Sequence, residues 1–157
     1  MFKVGDHVVY PMHGVGVIEA IEDKIIMEKE IKYYVLRFSV DEMCVMIPVD
    51  NAANVGLRYV SSPEVCFNII KYLNDEIKPG ETSACKLFKQ NLEKLKTGEI
   101  SEVAQVIRVL KAKYYQNGLS SGEKRMLAQA LTILTSEIAM SIDSTPEEIK
   151  DKIVDFI

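Results

Sequence analysis

Phe2-Lys3-Val4-Gly5-Asp6-His7-Val8-Val9-Tyr10-Pro11-Met12-His13-Gly14-Val15-Gly16 is the stretch on which the fold turns. His7 to Tyr10 is a β-prone run that stops at Pro11, since proline lacks the N–H that a ladder needs. Gly14 and Gly16 punctuate the entry to a second run, in which Val15, Val17, Ala20 and Ile21 are apolar while Gly16 and Glu19 interrupt them. Such near-alternation predicts a half-buried strand. A polar hairpin tip, Met27-Glu28-Lys29-Glu30, follows. Residues 33–38 and 43–48 then form two more strand-like runs around the turn Ser39-Val40-Asp41-Glu42. A turn that short pairs its strands antiparallel. Four or five short strands in this span predict a small β-barrel of the SH3/Tudor kind.

After Asn51-Ala52-Ala53-Asn54 the period changes to that of helices. Ser62-Pro63-Glu64 combines a cap, a first-turn proline and a dipole-compensating acid, and opens a helix to about residue 76. Lys78-Pro79-Gly80 breaks it. Thr82 or Ser83 is the expected cap of a second helix ending at Gly98, with Leu87, Phe88, Leu92 and Leu95 as its buried stripe. Ser101 is the expected cap of a third, with Val103, Val106, Ile107, Leu110 and Tyr114 on one face and Asn117-Gly118 as its stop. Ser120-x-x-Glu123 is a capping box before Met126, Leu127, Ala130, Leu131, Leu134 and Ile138. Thr145-Pro146-Glu147-Glu148 opens a short fifth helix. The expected class is therefore α+β in two domains: a small Tudor/SH3-like barrel at 1–55 and a compact bundle of about five helices at 56–157.

The composition, 48% hydrophobic and 27% charged, is that of an ordinary soluble protein. No run approaches the roughly 18 apolar residues of a membrane span, and the first residues lack the apolar core of a secretory signal. With Cys44, Cys66 and Cys85 odd in number and widely spaced, the thiols are expected to be reduced, small hydrophobes in a cytoplasmic protein. His7 and His13 have no thiol or carboxylate at ligand spacing, so neither a metal nor a cofactor is expected. Phosphate loops, dinucleotide fingerprints and nucleophile elbows are missing from the sequence, which points away from an enzyme. The net charge of −4 hides an uneven distribution. Residues 86–125 hold nine Lys/Arg against four Glu, whereas 1–55 hold five against nine acids and 137–157 two against six. A basic middle between acidic ends is compatible with a modest DNA contact or with solvated helix faces.

Three stretches then carry a resemblance. Phe2 to Gly16 resembles the opening of CarD-like proteins and of the polymerase-interaction module of the transcription-repair coupling factor. Asn91-Leu92-Glu93-Lys94-Leu95-Lys96-Thr97-Gly98 resembles the second helix of the CarD helical domain. Gly118-Leu119-Ser120-Ser121-Gly122-Glu123-Lys124-Arg125-Met126-Leu127-Ala128 is similar to the segment leading into its fourth helix. All three in this order span essentially the whole chain.

The resemblance implies a bacterial transcription regulator whose barrel docks on the β1 lobe of the RNA polymerase β subunit by adding a strand edge. The expected edge lies at residues 43–48, with Val45, Met46 and Ile47 in the contact. Two basic family positions fall at Lys24, which keeps its charge, and at Met46, which does not. The helical domain is expected to contact promoter DNA, mainly backbone and minor groove near the −10 region, at the upstream edge of the bubble. Lys86, Lys89, Lys113, Lys124 and Arg125 are the expected cations, the last two in a helix first turn suited to phosphate. The family's wedge tryptophan falls on Ala84, and the chain has no tryptophan. Alanine offers no face to offset unstacking, which costs about a few kcal/mol per step. The expectation is weaker hold on the open complex. The alternative is a polymerase-docking adaptor whose helical domain binds another protein.

Overall fold

The computed structural model describes residues 1–39, 42–76 and 87–153. Among the described residues five strands are present: β1 (His7–Tyr10), β2 (Gly14–Ile26), β3 (Lys29–Phe38), β4 (Cys44–Pro48) and β5 (Arg58–Tyr59), with a 3₁₀ turn at Val49–Asn51 before the last. They form one antiparallel sheet in the order β4-β3-β2-β1-β5. The sheet thus extends past residue 55, because β5 pairs Arg58 and Tyr59 with Val9 and Val8 of β1. A register shift between Ile18 and Ala20 bends the long β2, as bulges do. The sheet wraps a core of Val8, Ile18, Tyr34, Leu36, Phe38, Ile47, Ala52 and Leu57. Burying each of the larger of these contributes about 1.5–3 kcal/mol. The hairpin tip is tighter than the polar run implies. Only Met27 and Glu28 turn, both at positive φ (50° and 65°), while Lys29 and Glu30 already belong to β3. Positive φ at both turn residues matches the twist of a two-residue hairpin.

The helices are α1 (Pro63–Asn74), α2 (Leu87–Thr97), α3 (Ile100–Asn117), α4 (Ser121–Ser141) and α5 (Pro146–Lys152). Ser62, Ser120 and Thr145 cap α1, α4 and α5 through their hydroxyls, and Ser120 with Glu123 completes the capping box. The expected caps Thr82 and Ser83 lie outside the described residues. Ser101 does not cap α3. The helix starts at Ile100 behind Glu99, because Gly98, at φ 74°, reverses the chain within one residue. Cys66, Leu73, Leu95, Val106, Leu110, Leu134, Ile138 and Ile149 are among the side chains that fill the bundle. Cys66 is buried as expected, but Cys44 is exposed, because its place on β4 faces away from the barrel core. Cys85 lies outside the described residues.

The two domains are seated on each other by the opening stretch of the sequence. The turn Pro11-Met12-His13 leaves the sheet and enters the bundle. Met12 packs against the helical core, and its carbonyl accepts a hydrogen bond from Gln129 Nε2 at 3.1 Å. Pro11 lies so close to Gly98 that a Cβ there would stand 2.5 Å from its Cγ. On β5, Arg58 reaches α4 through the Glu137 carboxylate and the end of α2 through the Gly98 carbonyl. The Ser61 N–H donates to Glu137 and the Ser141 hydroxyl donates to the Ser61 carbonyl.

Candidate functional site

β4 is an outer strand of the sheet. Its inner edge is paired with β3, Val45 standing opposite Leu36 and Ile47 opposite Tyr34. The Phe38 N–H donates to the Met43 carbonyl at 2.9 Å. Antiparallel ladders alternate between bonded and non-bonded pairs. Val45 and Ile47 therefore spend their backbone groups on β3, while the N–H and C=O groups of Cys44 and Met46 point off the sheet edge. Side chains follow the same alternation: Ile47 is buried, Val45 half-buried and Met46 exposed. Pro48 stands opposite Tyr33 at a non-bonded position, where a missing N–H costs the ladder nothing.

Beside this edge the Arg37 guanidinium grips the Glu19 carboxylate (Nη2–Oε1 2.8 Å, Nε–Oε2 3.2 Å). The Arg37 hydrogen bond holds the Glu19 carboxyl below its ordinary range, and Glu19 in turn raises Arg37. The Cys44 thiol stands 3.8 Å from the same carboxylate. Lys24 is not alongside residues 45–47. It pairs with Ile31 in the hairpin arm, past the point where β4 ends opposite Tyr33. The fold brings Val45, Met46 and Ile47 together on one strand and places Lys24 further along the sheet.

At the far side, antiparallel packing gathers the start of α2, the end of α3 and the start of α4 at one end of the bundle. Lys89, Lys124 and Arg125 are exposed there. Lys113 is committed within the fold, its ammonium 2.6 Å from Glu123 Oε2. Burial would push the Glu123 carboxyl up, yet Lys113 and the Ser120 N–H and hydroxyl together hold it below its ordinary value. Ala84 and Lys86 lie outside the described residues. Part of the basic surplus in 86–125 is interior. Arg108 is buried, its guanidinium over the Tyr72 ring (4.6 Å to the centroid), donating to carbonyls at the end of α1. Lys94 Nζ donates to Gln105 Oε1 at 2.9 Å.

Phe88 departs from expectation. Periodicity puts it on the stripe with Leu92 and Leu95, but it is 48% exposed, and Tyr114 is 42% exposed. Phe88 sits in the first turn of α2, at the end of the bundle, and packs across Gly122, where a Cβ would stand 3.4 Å from its ring. Period gives the angle around a helix, not the height at which the neighbouring helices stop. The exposed Tyr115 was not singled out by sequence, and no periodic signal distinguishes it. The His13 ring is used structurally, stacked on Phe38 at 5.9 Å. Among the described residues no group of three or more His, Cys, Asp or Glu could hold a metal ion, and no helix is long and apolar enough to cross a membrane.

Residues 2–61 match the family model of the CarD-like/TRCF RID domain, and residues 68–154 match that of the CarD C-terminal domain. The chain is 38% identical over 154 residues, 96% of its length and 98% of the relative's, to YdeB of Bacillus subtilis (strain 168), a candidate transcription factor. It is also similar to the solution structure of the 72-residue N-terminal domain of Myxococcus xanthus CarD, at 32% identity over 38% of this chain and 79% of that one, with a TM-score of 0.33. A Tudor-like sheet followed by a helical bundle, matched in that order, defines a two-domain transcription regulator. The chain belongs to the CarD-like family.

Proposed function

We propose that this chain is a cytoplasmic, non-enzymatic regulator that binds the β1 lobe of the RNA polymerase β subunit through β4, with Val45, Met46 and Ile47 in the contact and Lys24 flanking it. Its helical domain contacts promoter DNA at the upstream edge of the bubble and modulates the stability of the open complex. The observation that carries this reading is the position of β4 at the sheet edge with the backbone groups of Cys44 and Met46 directed outward. Recognition by strand addition draws affinity from main-chain hydrogen bonds, so it tolerates methionine where relatives carry a cation. On the DNA side Lys89, Lys124 and Arg125 are the exposed cations that support phosphate contact. Lys113 contributes through the Lys113–Glu123 pair, and Ala84 and Lys86 complete the proposed set. With alanine at the wedge position the hold on the melted promoter is weaker than with tryptophan, which Ala84→Trp tests by lengthening open-complex lifetime.

The test of docking is Met46→Pro in the full chain. Proline there removes an outward N–H and spares the β3 ladder, so the protein stays folded and loses capture of polymerase. Undiminished capture would count against strand addition. The adaptor reading is favoured by Val65 and Phe67, exposed on α1. Salt separates the two, because phosphate contacts weaken steeply as salt rises and apolar protein contacts do not.

A further inference from the structure

A cavity of about 560 Å³ lies where the bundle meets the sheet, between the end of α4, the start of α5 and Ser39 just beyond β3. Small-molecule sites run from about 300 to 1,000 Å³. The hydroxyls that line it are unequally employed. Thr132 and Thr135 donate to the Ala128 and Leu131 carbonyls of their own helix. Ser39 donates to the Val15 carbonyl and Ser144 to the Glu148 carboxylate. With those protons committed, the four oxygens offer the cavity only lone pairs. Ser136 is different. It lines the same cavity and is only 7% exposed, yet its hydroxyl makes no hydrogen bond among the described residues. Such a buried hydroxyl is costly unless an occupant of the cavity satisfies it. Asp143 and Glu147 are exposed at the rim and have no ion-pair partner among the described residues, whereas Lys150 is engaged in an interaction of its own. The lining is thus negative and dominated by acceptors, with Met140 and Pro146 as its apolar wall.

We propose that this cavity binds a protonated aliphatic polyamine. An ammonium group carries donors and no acceptor, the complement of this lining. One ammonium lies on the Asp143 and Glu147 carboxylates, an inner amine donates to Ser136, and the methylenes run along Met140 and Pro146. An anion would set lone pairs against lone pairs. Because Ser39 follows the sheet and the other residues belong to the helical domain, the bound amine touches both domains. The site involves neither the β4 edge nor the basic end of the bundle, so it stands or falls independently of the proposed function.

Spermidine titrated into the full-length chain at fixed ionic strength is the probe, read by calorimetry and by thermal melting. Binding saturates at one spermidine per chain and raises Tm. Asp143→Asn and Glu147→Gln each weaken it about tenfold, the effect of losing a charge-assisted bond. Asparagine tolerates the left-handed backbone of Asp143, at φ 55°, so that variant stays folded. Ser136→Ala weakens binding about two- to tenfold, the worth of one hydrogen bond. It leaves the Tm of the free protein unchanged or higher, because the hydroxyl removed has no partner to lose, and a merely structural serine would not behave so. Glu64→Gln, on α1 away from the cavity, binds as the native protein does. Magnesium ion at equal charge and the neutral chain 1,8-octanediol give no saturable binding. Native affinity in both Ser136→Ala and Asp143→Asn, or equal binding of magnesium, reveals diffuse charge attraction and overturns the site. Absence of saturable binding at millimolar spermidine overturns it as well.

Discussion

The Arg58 guanidinium lies bidentate on the Glu137 carboxylate, both contacts at 2.8 Å, joining β5 to the C-terminal part of α4 across 79 residues of sequence. The Glu137 side chain is only 2% exposed, and its second partner is the Ser61 N–H at the junction between the domains. Any rotation of the sheet against the bundle would strand this carboxylate without a counter-charge. The pair therefore sets the angle between the proposed polymerase edge and the proposed DNA end.

Glu137→Ala is expected to lower unfolding free energy by about 3–5 kcal/mol, since removing one partner leaves the other charge desolvated and unpaired. Urea denaturation measures it. The double variant Arg58→Met/Glu137→Met should recover part of the loss, because apolar side chains replace a buried pair at little cost. A loss under about 1 kcal/mol for Glu137→Ala would show that the remaining contacts between the domains hold them without this pair.

Gly98→Ala is expected to destabilise by about 1–3 kcal/mol through two separable effects. The backbone there is left-handed, at φ 74°, and the new Cβ would collide with Pro11 Cγ at 2.5 Å. Adding Pro11→Ala should relieve the collision but not the backbone strain. Calorimetry of the two variants apportions them.

The Lys113–Glu123 pair predicts an acid-dependent loss of stability. The folded protein holds the Glu123 carboxyl below its ordinary value of 4.5, so folding favours the ionised form. The stabilisation is present in full above that value and is lost as pH falls through the lower, folded-state value. Stability-against-pH curves of Glu123→Gln should therefore flatten on the acid side only. Glutamine keeps the capping geometry and loses the ion pair, so the difference reports the charge.

Cys44 and Cys66 should separate by reactivity. Cys44 is exposed on the outer strand, whereas burial pushes the Cys66 thiol up, favouring the inert protonated form. Alkylation of the native protein at mildly alkaline pH should label Cys44 within minutes and leave Cys66 unmodified until denaturant is added, as peptide mass spectrometry reads. Polymerase bound at β4 should protect Cys44, which makes the same reagent a footprint for the proposed docking edge.

Legibility followed the range of the interactions. The caps at Ser62, Ser120 and Thr145 were readable because a cap is settled by residues three apart. The third helix starts two residues before its expected cap at Ser101, because the reversal at Gly98 packs against Pro11, a neighbour 87 positions away. Phe88 was misplaced for a related reason: spacing within α2 says nothing about where α3 and α4 end. Spacing alone leaves Lys113 an expected DNA-facing cation and Arg108 one of nine basic residues between 86 and 125, and only the approach of Glu123 and of carbonyls at the end of α1 makes them partners within the fold.

The residues from Phe2 to Gly16, by their β-propensity, proline stop and glycine punctuation, determined on their own that the chain opens with short strands. Hydrophobic period likewise determined that helices follow. Both are local properties, decided by φ/ψ preference and by which side chains face one side. Only the tertiary structure decided that Pro11 and Met12 in this stretch serve as the plug between domains, that β4 is left at the sheet edge, and that Arg58 finds Glu137. Those outcomes depend on which distant surfaces exclude water together, a quantity that no stretch of fifteen residues contains.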